Sequence, residues 1–268
     1  MMFKNPPLVE LVAELKWDLP PSQTNEVPHI TIGNRSIPFV SNSDEEGFTL
    51  LLDKFAKEGF STTERKIPRE FPMLPHQIIY RIDKSDDPDK RIIYQVGHGI
   101  FSTNAVQPYR SWDEFSDYLR RGIKNLLSAK DKLSIKKFSS INLRYVNAFT
   151  PYFTDGLSIA DFLRNVIGFN LTMPEVISKL CTDLSLVQPA FQLKIPIGEG
   201  IKLKIIIGEG QVNNAESIVI DLSISNIVGI DADEDATFEA FKNAHDVLRK
   251  VFIDITKHIH DKMNTEES

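Results

Sequence analysis

An arginine lies in the middle of a segment that alternates like a β-strand, SSINLRYVNAF at residues 139–149. Tyr145 and its apolar neighbours point to one face of this strand, and Arg144 points to the other. A guanidinium group there could bind a carboxylate or a phosphate through two parallel hydrogen bonds. The alternative is a structural ion pair across the sheet with Glu10 or Glu14, and this pairing is the one we expect.

Polar residues near this arginine define a candidate ligand site between the sheet and a helix. The candidate ligand-binding residues are Arg144, Tyr145, Asn147 and His98. His245 belongs to an apolar helical stripe, and we interpret it as a core histidine because the sequence places no acid or nucleophile beside it. No residue is predicted to be catalytic.

Metal and cofactor motifs are missing from the sequence. His258 and His260 are two residues apart on a predicted helix, so they point to different faces and cannot share one metal. Cys181 is the only cysteine, which excludes an intrachain disulfide and a cysteine-based zinc site. The segment GEGIKLKIIIGEG lacks the G-x-G-x-x-G spacing of a dinucleotide loop. We therefore predict no metal and no cofactor.

A basic run at residues 120–137 is the strongest charge asymmetry in the chain. Its candidate partner-binding residues are Arg120, Arg121, Lys130, Lys132, Lys136 and Lys137. The run is interpreted first as a solvated helix end, since cations are favoured at a helix C-terminus. The other interpretation is a docking patch for an acidic protein, a second copy of the chain or nucleic acid.

Composition limits the class of protein. The 268 residues are 41% apolar and 25% charged, which is typical of a soluble protein with a real core. A formal net charge of −6 argues against a general nucleic-acid binder, so the basic run is the one place that could contact nucleic acid. The sequence shows no signal peptide and no membrane span. We expect a cytoplasmic protein that does not enter membranes.

The order of predicted elements repeats along the chain. Strands are predicted at 8–17, 61–67, 77–82, 91–96, 99–104, 139–149, 184–195, 202–207 and 217–226. Helices are predicted from about residue 48 to Gly59 and at 111–127, 158–167 and 236–263, with an irregular stretch from 18 to 43 and turns at both GEG segments. The helix at 111–127 opens with a capping box formed by Ser111 and Glu114.

These elements predict an α+β fold made of two tandem helix-grip-like halves. Each half would contain a strand, a helix, several antiparallel strands and a long helix, with the sheet wrapped on that helix. We place the halves at residues 1–133 and 134–268.

Four segments carry a resemblance to a known family. They are PPLVELVAELKW at 6–17, QVGHGIFSTNAVQPYRSWDEF at 95–115, LRYVN at 143–147 and HDVLRKVFIDIT at 245–256. Together they resemble a sporadically distributed, functionally uncharacterised bacterial family whose members begin with a PPLVEVVAEIRW-like segment and carry an LRYIN-like strand. Lys16 stands where that family usually has arginine, and Ser111 where it usually has glycine. The resemblance implies that the chain belongs to this family, and it does not indicate a biochemical activity.

Two classes of function remain. The first is a non-catalytic binding or assembly module that acts through its sheet or its basic run, such as an accessory or sensor component of a bacterial defence system. The defence role follows only from the sporadic distribution of the family that the chain resembles. The second is a small-ligand receptor or an enzyme with its site between sheet and helix near Arg144. A polar cavity converging on Arg144 would favour the second class, and a solid core with a flat basic surface the first.

Overall fold

The computed structural model describes residues 3–19, 29–32, 35–38, 45–68, 71, 74–84, 91–108, 111–170, 172–183, 187–198, 200–212, 214–226 and 229–264. The first part of the chain forms β1 (Leu8–Lys16), β2 (His29–Ile32), β3 (Arg35–Pro38), α1 (Glu45–Lys57), β4 (Thr62–Arg65), β5 (Ile78–Asp83), β6 (Ile92–Gly97), β7 (Ile100–Val106) and α2 (Trp112–Ser128). Helix α2 begins as the sequence predicts, because Ser111 Oγ accepts a hydrogen bond from the Glu114 backbone N–H at 3.2 Å.

The second part of the chain begins with two strands and a series of short helices. These are β8 (Lys137–Phe138), β9 (Ser140–Phe149), α3 (Pro151–Thr154), α4 (Ile159–Phe162), a π-helical turn (Leu163–Ile167) and α5 (Glu175–Leu180). The chain continues with β10 (Phe191–Gly198), β11 (Ile201–Val212), β12 (Ala215–Asn226), β13 (Ile230–Asp231) and α6 (Glu234–Ile255). A 3₁₀ turn (Lys257–Ile259) and α7 (His260–Asn264) follow α6.

Nine strands form one antiparallel sheet in the order β10-β11-β12-β9-β1-β7-β6-β5-β4. Strands β1 and β9 pair at its middle, with Leu11 opposite Tyr145 and Val12 opposite Arg144. Alternation places the buried side chains Leu11 and Leu143 on the face that the helices cover. The opposite face carries the charged side chains of Glu10, Glu14 and Arg144.

Two long helices cover the apolar face of this sheet. Helix α2 packs on β6 and β7, α6 packs on β9 and β12, and the two helices contact each other. Helix α1 packs against α2 from the other side. One hydrophobic cluster contains buried residues from both parts of the chain, so a single core joins them.

The α+β class predicted from the sequence is confirmed. Strand β1 pairs with β7, the last strand before α2, and β9 pairs with β12, the last long strand before α6. Strand β1 precedes the predicted boundary between 133 and 134, and β9 follows it. Because these two strands pair with each other, one continuous sheet contains strands from both predicted halves. Tandem duplication and the division into two halves stay predictions.

Two predictions about glycine and proline segments are corrected. The second GEG, residues 208–210, lies inside β11, where Gly208 pairs with Val219 and Gly210 with Ser217. The chain turns later, beside Asn214, whose positive φ of 65° an asparagine tolerates. Within the stretch predicted to be irregular, residues 29–32 and 35–38 form the antiparallel pair β2–β3, and most of the remainder lies outside the described residues.

The boundaries of other elements also differ from the prediction. The closing helix predicted at 236–263 ends at Ile255, where Thr256 Oγ1 donates a hydrogen bond to the Phe252 carbonyl at 2.6 Å. The strand predicted at 184–195 begins only at Phe191, and residues 184–186 lie outside the described residues. The short helices α3 and α5 were not predicted, since four and six residues are too few to show a helical period.

Candidate functional site

A cavity of about 520 Å³ lies between α6 and the helix-covered face of the sheet. Strands β9 and β12, the start of α2, helix α6 and the N-terminal segment supply its walls. Its apolar lining consists of Phe3, Pro6, Leu8, Leu222, Leu248, Phe252 and Ile253. A mostly apolar cavity with a few polar groups is the usual form of a small-molecule site.

The N-terminal segment closes one side of the cavity. Phe3 meets Phe252 of α6 edge to face, with their ring centroids 6.3 Å apart. The backbone fixes this segment at both ends, because Asn5 N–H donates to the Met263 carbonyl at 2.9 Å and Ala148 N–H donates to the Pro7 carbonyl at 2.8 Å. The cavity therefore depends on contacts between the two ends of the described chain.

A hydrogen bond between sheet and helix forms the polar centre of the cavity. Tyr145 Oη on β9 lies 2.6 Å from His245 Nδ1 on α6, and the tautomer of the ring sets which atom donates. Burial lowers the pKa of His245 to about 4, so the ring is neutral at pH 7. Neutral imidazole and phenol can each present a donor or an acceptor to a ligand.

Trp112 fixes the other side of the imidazole ring. Its indole stacks on His245 with a centroid separation of 4.0 Å and an angle of 4° between the ring planes. The capping bond of Ser111 sets where α2 begins and thereby places Trp112 at the first helical position. This stacking restrains the His245 ring, so the polar centre is preorganised.

Asn147 adds an amide to the same wall. It follows Tyr145 by two residues on β9, so both side chains reach the helix-covered face. Asn147 is only 3% exposed, and its Nδ2 donates to the Ile220 carbonyl on β12 at 3.4 Å. A buried amide that lines a cavity offers a fixed polar contact to a ligand.

Charged side chains occur only in the solvent-exposed part of the lining. Lys242 and Arg249 on α6 are the cations, and Asp113 on α2 and Asp246 on α6 are the carboxylates. All four residues are exposed, whereas Leu8, Leu222 and Leu248 are buried. The cavity thus has an apolar interior and a charged opening.

Arg144 lies on the opposite face of the sheet from the cavity. Its Nη2 lies 2.8 Å from Asp221 Oδ2, and its Nε lies 3.0 Å from both carboxylate oxygens. Asp221 sits diagonally across the β9–β12 pair, since it is opposite Val146 and Arg144 is opposite Ser223. The prediction of an ion pair on this face is confirmed for Arg144.

The predicted partner of Arg144, Glu10 or Glu14, is wrong. Both glutamates have nearer partners, because Glu14 pairs with Lys16 at 2.9 Å and Glu10 accepts a hydrogen bond from Asn104 at 3.2 Å. They act on Arg144 only through space, and they add to the effect of Asp221 in raising the pKa of the guanidinium group.

The four predicted ligand-binding residues are not brought together. Tyr145 and Asn147 line the cavity, and Arg144 faces away from it. His98 lies in the turn between β6 and β7, where it is fully buried and packs edge to face on Phe48 at a centroid distance of 5.6 Å. The candidate site therefore retains two of the four residues.

Most of the basic run pairs with acidic groups of the same chain. Arg120 bonds Glu234 at 2.8 Å and also Asp235, which ties α2 to the start of α6. The other pairs are Arg121 with Glu58 at 3.9 Å, Lys132 with Glu46 at 2.6 Å and Lys137 with Asp231 at 3.1 Å. Lys130 and Lys136 are exposed. Four of the six candidate residues of the run therefore form ion pairs within the same chain.

The sequence does not predict most of the cavity lining. His245, interpreted from the sequence as a core histidine, is partly buried and hydrogen-bonded to Tyr145, and the sequence does not link Trp112, Lys242 or Arg249 to the candidate site. The spacing of Lys242, His245 and Arg249 by three and four residues was the available signal, since it places three basic or titratable groups along one face of α6.

In the part of the chain that the structure describes, no cluster of three or more His, Cys, Asp or Glu side chains could hold a metal ion. None of the described helices has the length and apolar character needed to cross a membrane. Compared with known proteins, the chain matches no protein-family model, no curated protein and no solved structure.

Proposed function

We propose that the protein binds one small organic molecule in the cavity between α6 and the sheet and performs no catalysis of its own. The observation that carries this proposal is the convergence of an apolar lining with the Tyr145–His245 hydrogen bond in one preformed space. A cavity of about 520 Å³ is within the size range of small-molecule sites.

The polar centre supports recognition better than catalysis. A general base works best when its pKa is near the working pH, and burial lowers the pKa of His245 to about 4. The hydroxyl of Tyr145 and Nδ1 of His245 are also bonded to each other at 2.6 Å. Such a pair orients a ligand by hydrogen bonding and is a weak acceptor of protons near pH 7.

The opposite face of the sheet and the basic run have less support as binding sites. Arg144 is held by two oxygens of Asp221, and four cations of the run are held by acidic residues of the same chain. Binding there would have to compete with these intramolecular pairs. An assembly role through the exposed Lys130 and Lys136 is the weaker alternative.

The remaining expectations fit a ligand-binding role and stay proposals. A cytoplasmic protein of the resembled bacterial family could report the presence of a small molecule to an unknown protein partner. Ligand binding between sheet and helix would then supply the signal for an accessory or sensor component.

A fluorescent probe of apolar cavities tests the proposal. N-phenyl-1-naphthylamine should bind the full chain saturably with one site per molecule. Ile253→Trp fills part of the cavity and should weaken binding about tenfold or more, which corresponds to ~1.4 kcal/mol. Val247→Trp is the matched control, because Val247 is an exposed residue of α6 outside the cavity lining. Equal binding by both variants would contradict the proposal, provided both melt as cooperatively as the parent.

A further inference from the structure

We infer that the cavity selects uncharged amphipathic ligands, with an aromatic body in the apolar lining and a hydroxyl or carboxamide group at Tyr145 and Asn147. This inference rests on the proposed function and names the chemical class of the ligand. It follows from two features of the cavity, its interior and its polar centre, and the opening does not oppose it.

The interior disfavours an ion. Leu8, Leu222 and Leu248 of the lining are at most 5% exposed. A charged group placed against them would lose its hydration without gaining a partner, and that loss is large. The aromatic walls formed by Phe3, Trp112 and Phe252 instead favour a flat apolar body.

The polar centre fits a neutral group that both donates and accepts. The Tyr145 hydroxyl and the Asn147 amide each carry a donor and an acceptor. Burial keeps His245 unprotonated at pH 7, so the centre carries no charge that would balance a ligand carboxylate or ammonium. A hydroxyl or carboxamide matches this mixture of donors and acceptors.

The opening does not favour ions of either sign. It holds two cations, Lys242 and Arg249, and two carboxylates, Asp113 and Asp246, so its formal charge is zero. All four are exposed, and salt screens exposed charges strongly. The selection for a neutral ligand therefore comes from the interior and the polar centre.

Three matched probes test this inference by displacement of N-phenyl-1-naphthylamine at pH 7. They share one ring system and differ in charge, namely 2-naphthol, 2-naphthoate and 2-naphthylmethylammonium. We expect 2-naphthol to displace the dye at a concentration about tenfold or more below that of either ion, given the cost of burying a charge. Displacement by either ion at the same or a lower concentration, or no displacement by 2-naphthol, would overturn the inference.

A variant separates the hydrogen bond from the apolar contact. Tyr145→Phe should weaken the binding of 2-naphthol about 3- to 10-fold, the usual contribution of one neutral hydrogen bond. The same variant should leave the binding of 2-methylnaphthalene unchanged. Equal weakening of both compounds, or of neither, would overturn the assignment of the polar group to Tyr145. If the dye itself does not bind, the proposed function is wrong. If the dye binds but an ionic probe displaces it better than 2-naphthol does, only the inferred ligand class is wrong.

Discussion

Tyr145 Oη and His245 Nδ1, 100 residues apart in the chain, are 2.6 Å apart in the fold. This contact links the middle of the sheet to the helix that covers its second part. It also gives the cavity a polar centre, because both rings line the same space.

Acid should weaken the fold through His245. Burial lowers its pKa from 6.5 to about 4, with smaller opposing effects of the carboxylates Asp246 and Asp113 and an effect of Arg249 in the same direction as burial. Between pH 6.5 and 4 the unfolded chain binds this proton and the folded chain does not. The contribution of neutral His245 to the free energy of unfolding is therefore fully present above pH 6.5 and is lost as the pH falls to about 4.

The size of this effect is limited by solvent, since the ring is partly exposed. We expect the free energy of unfolding to fall by at most about 2 kcal/mol between pH 6.5 and 4, after a discount for solvent screening. Urea unfolding at pH 7, 5.5 and 4.5 measures it, and His245→Gln should show a shallower pH dependence than the parent. The control is His258→Gln, at an exposed histidine of the 3₁₀ turn, which should behave like the parent. Equal slopes for the parent and His245→Gln would refute this prediction.

Arg144 should contribute to stability and leave the cavity unaffected. Its side chain is 42% exposed and that of Asp221 only 14%, so Arg144→Ala leaves a largely buried carboxylate without its bidentate partner. We expect Arg144→Ala to lower the free energy of unfolding by about 1–2 kcal/mol, which lies between the values for exposed and buried ion pairs. A double-mutant cycle with Asp221→Asn should show coupling of about 1 kcal/mol.

A surface pair provides the comparison for Arg144. Lys57 and Asp53 of α1 are 2.5 Å apart, but their side chains are 72% and 54% exposed. Lys57→Ala should therefore cost less than about 0.5 kcal/mol. If Arg144→Ala costs no more than Lys57→Ala, or if it abolishes dye binding, then Arg144 has a role other than the structural one assigned to it.

Gly122 should be required for the close approach of α2 to the sheet. A Cβ at this position would lie 2.8 Å from Tyr94 Cε1 and 2.9 Å from Thr103 Oγ1, and both of these residues are fully buried. Gly122→Ala should cost about 1–3 kcal/mol through overpacking, despite the better helix propensity of alanine.

Gly208→Ala is the control for Gly122, because a Cβ on Gly208 in β11 would meet no atom within 4 Å. Its free energy of unfolding should change by less than about 0.5 kcal/mol. Urea denaturation of both variants measures the difference. A stabilised Gly122→Ala protein would show that helix and sheet are not in tight contact there.

Local patterns predicted many of the elements. The alternation of β1 and β9 and the Ser111 cap of α2 were visible because each depends on neighbouring residues in the sequence. The long hairpin β11–β12 was predicted too short, because its glycines resemble turn residues when strand pairing is unknown.

The contacts of the site depend on strand order, which local patterns do not contain. Arg144 has Glu10 and Glu14 diagonally across from it on β1 and Asp221 diagonally across from it on β12. It pairs with Asp221 because Asn104 and Lys16 bind the two glutamates. His245 likewise acquires its role from Tyr145, a residue that periodicity in α6 cannot reveal. Polar residues in an apolar stripe thus indicate where the site lies, but strand order is needed to identify their partners.

Occupation of the cavity can be read directly from the two tryptophans of the chain. Trp112 lines the cavity, whereas Trp17 is fully buried and its Nε1–H donates to the Leu133 carbonyl at 3.2 Å. The measurement is a ¹H–¹⁵N spectrum of the indole N–H groups during titration with 2-naphthol, with the peaks assigned through Trp17→Phe. We predict that the Trp112 peak shifts until one ligand is bound and that the Trp17 peak stays in place. A Trp112 peak that does not move, or equal shifts of both peaks, would contradict ligand binding in this cavity.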